Sequence, residues 1–209
     1  MGTHIYPCLY HGPILYYAMI SREKRVIIEQ YDHYMKQTYR NRCRIAGANG
    51  IINLTIPVKK IHGEKVSMKD AQIDYDKPWQ KEHWRGIRDS YRAAPYFEFI
   101  QDEFLSLYTR RYQFLLDLNM EALQITLDLL QIHTELSLSS CFTPIAHSAD
   151  PREGIHPKRI PGAIYPGFSP VRYPQVFEDR MGFIPNLSIL DLLFNEGSRS
   201  SEILRKSFS

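Results

Sequence analysis

Three arginines at alternating positions, Arg40, Arg42 and Arg44, are the residues of this chain best suited to binding chemistry. Side chains alternate between the two faces of a β-strand, so on one strand these arginines would project from the same face, about 6.5–7 Å apart. Guanidinium groups in such a row bind phosphate or carboxylate oxygens through paired donors. Lys36 approaches the same row, which therefore predicts a site for a small anionic ligand. The alternative is a solvated edge strand whose charges discourage aggregation.

Tyrosines and scattered polar residues are further candidates for contact with that ligand. Tyrosine, of which the chain has 14, combines a flat apolar ring with a hydroxyl group and suits a surface that holds a polar organic molecule. Asp191 stands among leucines, so its carboxylate either faces water near a helix N-terminus or is buried against a partner such as an arginine. The predicted ligand-binding residues are Tyr10, Tyr31, Tyr34, Lys36, Arg40, Asn41, Arg42, Arg44, Lys158, Asn186 and Asp191.

Two histidines are candidates for the proton acceptor of a transfer reaction. General-base catalysis requires a side chain that removes a proton from the attacking group. His83 lies four residues after Trp79 and shares its helical face, and His156 lies in a proline-rich segment. For His83 we favour the competing interpretation, a buried and hydrogen-bonded histidine without a catalytic role. A covalent route through Cys8 or Cys141, paired with His156, is a further alternative.

A β-hairpin must position the arginines. The dipeptide Asn49-Gly50 favours a tight turn between strands at 42–46 and 51–56, and Pro57 then ends regular pairing. Hydrophobic periodicity and capping residues predict the other elements. These are strands at 26–30, 71–75 and 136–140, helices at 14–21, 79–91, 96–111 and 115–132, and a last helix that Asn186 or Ser188 caps and Gly197 ends.

These elements predict an α+β (mixed α/β) fold, in which a small sheet with the Asn-Gly hairpin packs on a helical layer. We expect a single domain over residues 1–209, with a helical subregion at 79–132 and a proline-rich loop at 143–174. This loop contains seven of the chain's 13 prolines. Such long irregular segments are often lids over a functional site.

Composition excludes several classes of protein. The chain is 44% hydrophobic and 23% charged, values that are ordinary for a globular domain. Its net charge of +3 is small for a dedicated duplex-DNA binder. The three cysteines form no CxxC pair, so we expect no metal site. Neither a P-loop nor a GxGxxG motif is present, and we expect no cofactor. Without a signal peptide or a membrane span, a cytoplasmic protein is expected.

Several short motifs resemble, in their order and spacing, the WbqC-like protein family. Near the start these are Gly12–Tyr17, the run Tyr34–Lys36 followed by Thr38–Ile45, and Leu54–Val58. Further along come Trp79, His83-Trp84, Tyr91 and Pro95–Phe97. The last is FIPNLSILDLLFNEG at residues 183–197. With its His156-Pro157-Lys158 segment, the chain is most similar to the variant of Bacteroidetes-type bacteria.

The resemblance implies a role in cell-surface polysaccharide (O-antigen-type) biosynthesis. It implies a transferase that moves an aminoacyl, glycyl or other acyl group to an amino sugar, with a nucleotide-activated sugar as the anionic ligand. The alternatives are a non-catalytic nucleotide or single-stranded nucleic-acid binding protein, and a scaffold whose arginines form ion pairs with Asp191 or Glu29. The modest net charge argues against nucleic acid as the partner.

Overall fold

Five short strands and a larger set of helices form the protein, which has a mixed α+β fold as the sequence predicts. The computed structural model describes residues 4–59, 65–145, 147 and 149–208. The strands are β1 His4–Pro7, β2 Arg25–Glu29, β3 Arg42–Gly47, β4 Gly50–Thr55 and β5 Glu135–Leu138. The helices are α1 Ile14–Ile20, α2 Trp79–Tyr91, α3 Phe97–Thr109, α4 Leu115–Leu129, α5 Pro151–Gly154, α6 Pro161–Ile164, α7 Glu178–Met181, α8 Ile189–Glu196 and α9 Ser200–Lys206.

The first sheet is parallel, with strand order β1-β2-β5. Its middle strand, β2, has the continuous apolar run that a strand covered on both faces requires, and Val26 and Ile28 are fully buried. Pro7 of β1 lies beside Glu29 of β2, and Ile28 lies beside Leu138 of β5. The carboxyl ends of all three strands therefore meet at one edge of the sheet, where Glu29 ends the middle strand.

The arginine hairpin forms a second, two-stranded antiparallel sheet of β3 and β4. Gly47 pairs with Gly50, so the turn residues are Ala48 and Asn49. The hairpin prediction is confirmed, but the predicted turn centre at Asn49-Gly50 is wrong by one residue. Gly50 has a φ of +124°, a conformation that favours glycine, and it begins the second strand instead of lying in the turn.

The hairpin packs on the helical layer through α2. Gly86 of this helix faces Leu54 of β4, where an added Cβ would already touch the leucine side chain at 3.4 Å. The backbone N–H of Ala46 donates to the Tyr91 hydroxyl over 3.3 Å. Cys43 and Ile45 are fully buried beneath the hairpin, whereas Arg42 and Arg44 on the opposite face are half-buried. The predicted packing of hairpin on helices is therefore confirmed.

Helix α8 is buried along its whole length and packs against α1, α3 and α9. Ser188 caps it by accepting from the backbone N–H of Leu190, which confirms one of the two predicted caps. Gly197 ends it with a φ of +53°. A Cβ at Gly197 would lie 2.4 Å from the Tyr96 ring, so both the backbone conformation and the space require glycine there.

The predicted strand at 71–75 is wrong. This segment forms two isolated bridges, from Ile73 to Val58 and from Gln72 to Phe114, instead of a continuous ladder. The proline-rich segment contains the short helices α5 and α6, which begin at prolines. Within the part of the chain that the structure describes, no helix combines the length and the apolar character needed to cross a membrane.

Candidate functional site

An open groove of about 710 Å³ runs between the hairpin and the segments at 34–37 and 74–77. We call it the basic groove. It brings together four of the predicted ligand-binding residues, Tyr34, Lys36, Asn41 and Arg42. The other residues that line it are Gln37, Thr55, Ile56, Pro57, Val58, Asp74 and Lys77.

Arg42 is held in position by the partner strand. Its Nε donates to the Thr55 hydroxyl over 3.1 Å, and Arg42 and Thr55 are paired residues of the ladder. No acidic side chain of the described residues forms an ion pair with Arg42. The guanidinium therefore keeps donors for an anion while its orientation is fixed by the sheet.

Asn41 forms the floor of the groove where the chain enters β3. Its Nδ2 donates to the Ile56 carbonyl over 2.8 Å, and its own carbonyl accepts from the Ile56 N–H over 2.8 Å. Its Oδ1 is buried and has no hydrogen-bond partner among the described residues. Asn41 thus fixes the two sides of the groove to each other at the end of the ladder.

The charges around the groove are mixed, with a positive excess. Lys36, Arg42 and Lys77 are cationic and Asp74 is anionic, so three positive charges minus one negative leave two positive charges among the described lining residues. The backbone N–H of Asp76 donates to the Asp74 carboxylate over 2.9 Å. The groove therefore suits a ligand that carries a phosphate or carboxylate together with a cationic or donor group.

Tyr34 adds an aromatic wall beside these charges. Burial raises the pKa of Tyr34 to about 12, and the nearby charge of Arg42 acts in the opposite direction. The hydroxyl therefore stays protonated at neutral pH and can donate to a ligand oxygen. The Tyr34 backbone N–H donates to the Val66 carbonyl over 2.8 Å, which fixes this wall.

Arg40 does not belong to the row of arginines, and that prediction is wrong. It precedes β3, so the alternation that places Arg42 and Arg44 on one face does not extend to it. Its side chain is 2% exposed and forms an ion pair with Asp32. It also donates to the carbonyl of Arg152 over 3.4 Å. Arg40 is therefore directed into the protein instead of toward the groove.

A buried ionic cluster surrounds Arg40 at the carboxyl edge of the parallel sheet. Arg152 donates to the Asp150 carboxylate over 2.6 Å and lies 3.5 Å from Glu29. Burial would raise the pKa of Asp150, but its hydrogen bonds from Arg152 outweigh that effect and lower it. Glu29 also accepts from the Ser139 hydroxyl over 2.6 Å. These ion pairs join segments that are distant in sequence, so the cluster is a structural element of the fold, although the Arg40 Nε has no partner among the described residues.

Arg44, Tyr31 and Lys158 lie outside the basic groove. Arg44 is two residues further along β3 than Arg42, and its carbonyl accepts from the Ser188 N–H over 2.8 Å. The Tyr31 ring carries the ammonium of Lys69 on its face at 4.7 Å. Lys158 is exposed near α5. The structure therefore separates these three predicted residues from the four that line the groove.

His83 and Tyr10 belong to a buried hydrogen-bonded chain. His83 Nδ1 lies 2.9 Å from the Tyr10 hydroxyl, which lies 2.9 Å from the Tyr108 hydroxyl. Burial lowers the pKa of His83 to about 4, and a hydrogen bond to the Thr55 backbone acts in the opposite direction. His83 is therefore neutral at physiological pH. Its bond to the Thr55 backbone links it to a residue that lines the groove, and its buried position is the one we favoured from the sequence.

His156 is half-buried and accepts from the backbone N–H of Lys158 at Nδ1, over 3.1 Å. Burial and the charges of Arg159 and Lys158 lower its pKa. The neutral ring therefore carries its proton on the other nitrogen, so neither nitrogen is a free proton acceptor in this arrangement. His156 does not line the basic groove.

The side chains of Asp191 and Asn186 accept hydrogen bonds within the protein. The Asp191 carboxylate accepts from the hydroxyls of Tyr91 over 2.9 Å and Tyr173 over 2.6 Å, and from Gln175 over 2.8 Å. Of the two alternatives that the sequence leaves open, the structure therefore has the buried carboxylate, with neutral donors as its partners instead of an arginine. Burial raises the pKa of Asp191. Asn186 accepts from the Leu15 N–H over 2.8 Å, so it satisfies the first turn of α1 instead of a ligand.

The cysteines differ in accessibility. Cys8 and Cys43 are buried, whereas Cys141 is exposed. Burial raises the pKa of Cys8 to about 12, so its thiol is protonated and unreactive at neutral pH. Among the described residues no group of three or more His, Cys, Asp or Glu side chains is arranged to hold a metal ion.

Comparison with known proteins identifies the family. The model of the WbqC-like protein family matches residues 10–155, which is more than half of the chain. The chain belongs to the WbqC-like protein family. Over an alignment of 217 residues it is 27% identical to "Uncharacterized protein Rv1507c" of Mycobacterium tuberculosis. The alignment covers 91% of each chain. No solved structure matches.

The region that matches the WbqC-like family contains the whole basic groove, because every residue that lines the groove lies between 34 and 77. His156, Lys158, Asn186 and Asp191 lie beyond the matched region. Sequence reasoning missed Asp74 and Lys77, which the isolated bridge between Val58 and Ile73 brings to the groove. A lone bridge leaves no periodic pattern, so the sequence carried no signal for their position.

Proposed function

We propose that this WbqC-like protein binds the phosphate or carboxylate group of a nucleotide-activated sugar in the basic groove. One observation supports the proposal. The basic groove is lined by three cationic side chains and a tyrosine, which are Lys36, Arg42, Lys77 and Tyr34. Arg42, fixed by Thr55, supplies directed donors, and the two exposed lysines supply mobile charge. The ligand is therefore an anion of small-molecule size.

The reaction that fits this ligand is transfer of an acyl or aminoacyl group to an amino sugar, in the synthesis of a cell-surface polysaccharide. The amine nitrogen forms a bond to the acyl carbon, and the bond from that carbon to the donor's leaving oxygen or sulfur breaks. A proton passes from the amine to the leaving group. Asp74, the carboxylate in the groove, is suited to hold the amino group beside the bound phosphate.

Isothermal calorimetry at low ionic strength tests the ligand class. The probes are inorganic pyrophosphate and UDP-N-acetylglucosamine. We expect both to bind, and we expect Arg42→Ala and Lys36→Ala each to weaken binding by about fivefold to tenfold, because each substitution removes one charged partner. Arg42→Lys should recover part of the loss, because it restores the charge without the paired donors.

Arg88→Ala is the matched control. Arg88 is an exposed arginine on α2 that lies outside the basic groove, so its loss should leave affinity unchanged. Thermal unfolding of each variant separates loss of binding from loss of folding. The absence of binding by both probes, or equal weakening in the Arg42 and Arg88 variants, would overturn the proposal.

A further inference from the structure

A second cleft, of about 630 Å³, opens between the start of α2 and the end of α3. We call it the aromatic cleft, because Tyr75, Trp79, Trp84 and Tyr108 line it. Arg111 and Lys77 also line it and place positive charge beside the rings. The chain has two tryptophans, and both are in this cleft.

The rings of the aromatic cleft are held by hydrogen bonds and by one another. The Tyr75 hydroxyl donates to the Tyr112 carbonyl over 3.1 Å and accepts from the Tyr112 N–H over 2.9 Å. The rings of Trp84 and Tyr108 have centroids 5.5 Å apart. The Tyr108 hydroxyl is anchored to Tyr10 in the interior. These surfaces are therefore set before a ligand arrives, which reduces the entropy lost on binding.

A residue that lines the cleft also has a buried polar group without a partner in the fold. Trp79 is 2% exposed, and its indole N–H has no acceptor among the described residues. Tryptophan normally finds a hydrogen-bond partner when it is buried. On the outer side, the Arg111 guanidinium lies 4.9 Å from the centre of the Tyr75 ring. An aromatic wall flanked by cations is the chemistry of a site for a ring that bears an anionic group.

Lys77 joins the two sites. It lines both the basic groove and the aromatic cleft, and Asp74 of the groove is adjacent in sequence to Tyr75 of the cleft. One ligand can therefore reach both sites, with Lys77 at the junction. A phosphate in the groove would leave the rest of the molecule beside the tryptophans.

We infer that the aromatic cleft is the second subsite for the same ligand and receives the ring that is linked to its phosphate. The inference rests on the proposed function, because the phosphate in the basic groove sets the ring's position. The ring packs against Trp84, the half-buried tryptophan of the cleft, while Lys77 at the junction contacts the phosphate beside it. Both the base and the sugar of a nucleotide sugar have the required shape, and the choice of probes distinguishes them.

Tryptophan emission of the wild-type protein reports on this cleft, because both tryptophans line it. The protein is excited at a wavelength where nucleotides absorb little. Titration with UDP-N-acetylglucosamine should change the emission, whereas inorganic pyrophosphate should bind with little change. A change with UDP alone assigns the cleft to the base, and a change that requires the sugar assigns it to the sugar. Binding of UDP-N-acetylglucosamine with unchanged emission would overturn the inference.

Calorimetry on Trp84→Leu adds a second readout. The variant should bind UDP-N-acetylglucosamine at least about fivefold more weakly, as expected for the loss of one stacked ring, and should bind pyrophosphate like the wild type. Phe99→Leu is the matched control, since Phe99 is 81% exposed on α3 and lies outside the cleft. Equal affinity of Trp84→Leu and wild type for the nucleotide sugar contradicts the inference alone. Failure of both pyrophosphate and UDP-N-acetylglucosamine to bind contradicts the proposed function.

Discussion

The guanidinium of Arg40 forms an ion pair with Asp32 inside the protein, while Arg42, two residues later, lines the basic groove. The two side chains have the same chemistry and nearly the same place in the sequence. The difference is that Arg40 precedes β3, whereas Arg42 begins it. One arginine therefore stabilises the fold, and the other is available to a ligand.

Substitution of the two arginines should separate these roles. Arg40→Met should lower the free energy of unfolding by about 3–5 kcal/mol, because it leaves the Asp32 carboxylate buried without its partner. Arg42→Met should change that free energy by about 1 kcal/mol or less, because it removes one hydrogen bond, to Thr55, and no ion pair. Urea unfolding monitored by circular dichroism measures both values.

The double variant Arg40→Met with Asp32→Leu provides the control. It removes both charges, so it should recover much of the stability that the single variant loses. Additive losses in the double variant would contradict the buried ion pair. A loss in Arg42→Met as large as that in Arg40→Met would show that Arg42 is structural.

The sequence predicted this hairpin and its helical support, because β-branched alternation and apolar periodicity are local patterns. Tyr34, Lys36 and Arg42, which are close in sequence, line one groove, and their role in ligand binding stays a prediction. The sequence prediction failed for Arg40, since period two applies only within a strand and the strand begins at residue 42. Strand boundaries depend on pairing with distant residues, which a single pattern does not reveal.

The same limit applies to partners that arrive from distant segments. Asp191 was recognisable as an anomalous carboxylate among leucines, but the sequence could not supply Tyr91, Tyr173 and Gln175 as its donors. Asp74 reaches the groove through one isolated bridge. These contacts are set by tertiary packing, whereas element type is largely set by local pattern.

Asp74→Asn should change which ligands the groove favours. The substitution removes the negative charge among the three cations, so pyrophosphate should bind about twofold to fivefold more tightly. Glucosamine phosphate should gain less or lose affinity, because its ammonium group would lose the carboxylate. Calorimetry with both ligands checks the difference. A parallel change for the two ligands would show that Asp74 acts only through net charge.

Acidification should destabilise the protein through His83. Its pKa in the folded protein is lowered to about 4 from 6.5, so the unfolded chain binds a proton first as the pH falls. The neutral form of buried His83 therefore makes its full contribution to the free energy of unfolding above about pH 6.5. This contribution declines as the pH falls and is lost by about pH 4. The total loss is about 3 kcal/mol. Urea midpoints measured between about pH 7 and pH 4.5 report this slope.

His83→Gln should reduce that slope without abolishing it. His11 lies in the same chain, 2.9 Å from the Tyr108 hydroxyl, and burial lowers its pKa to about 3. It supplies a second contribution of the same sign, while the Tyr10 and Tyr108 hydroxyls stay protonated across this range. An unchanged slope in His83→Gln would mean that His83 titrates normally and is open to solvent.

Thiol reactivity tests the covalent alternative. Cys141 is exposed, whereas Cys8 and Cys43 are buried and burial raises the pKa of both thiols. In the native protein at about pH 7.5, Ellman's reagent should therefore modify Cys141 rapidly and the other two only after unfolding in urea. Cys141→Ser should remove the rapid phase.

Cys8→Ser decides whether the buried thiol has a role in ligand binding. Its Sγ donates to the Leu116 carbonyl over 3.9 Å, too far for the shorter serine hydroxyl, so the variant should lose about 1–3 kcal/mol of stability but still fold and bind UDP-N-acetylglucosamine like the wild type. Mass spectrometry of the modified native protein identifies the reacting cysteine. Rapid labelling of Cys8 that also blocks ligand binding would contradict the buried position and make Cys8 a candidate nucleophile.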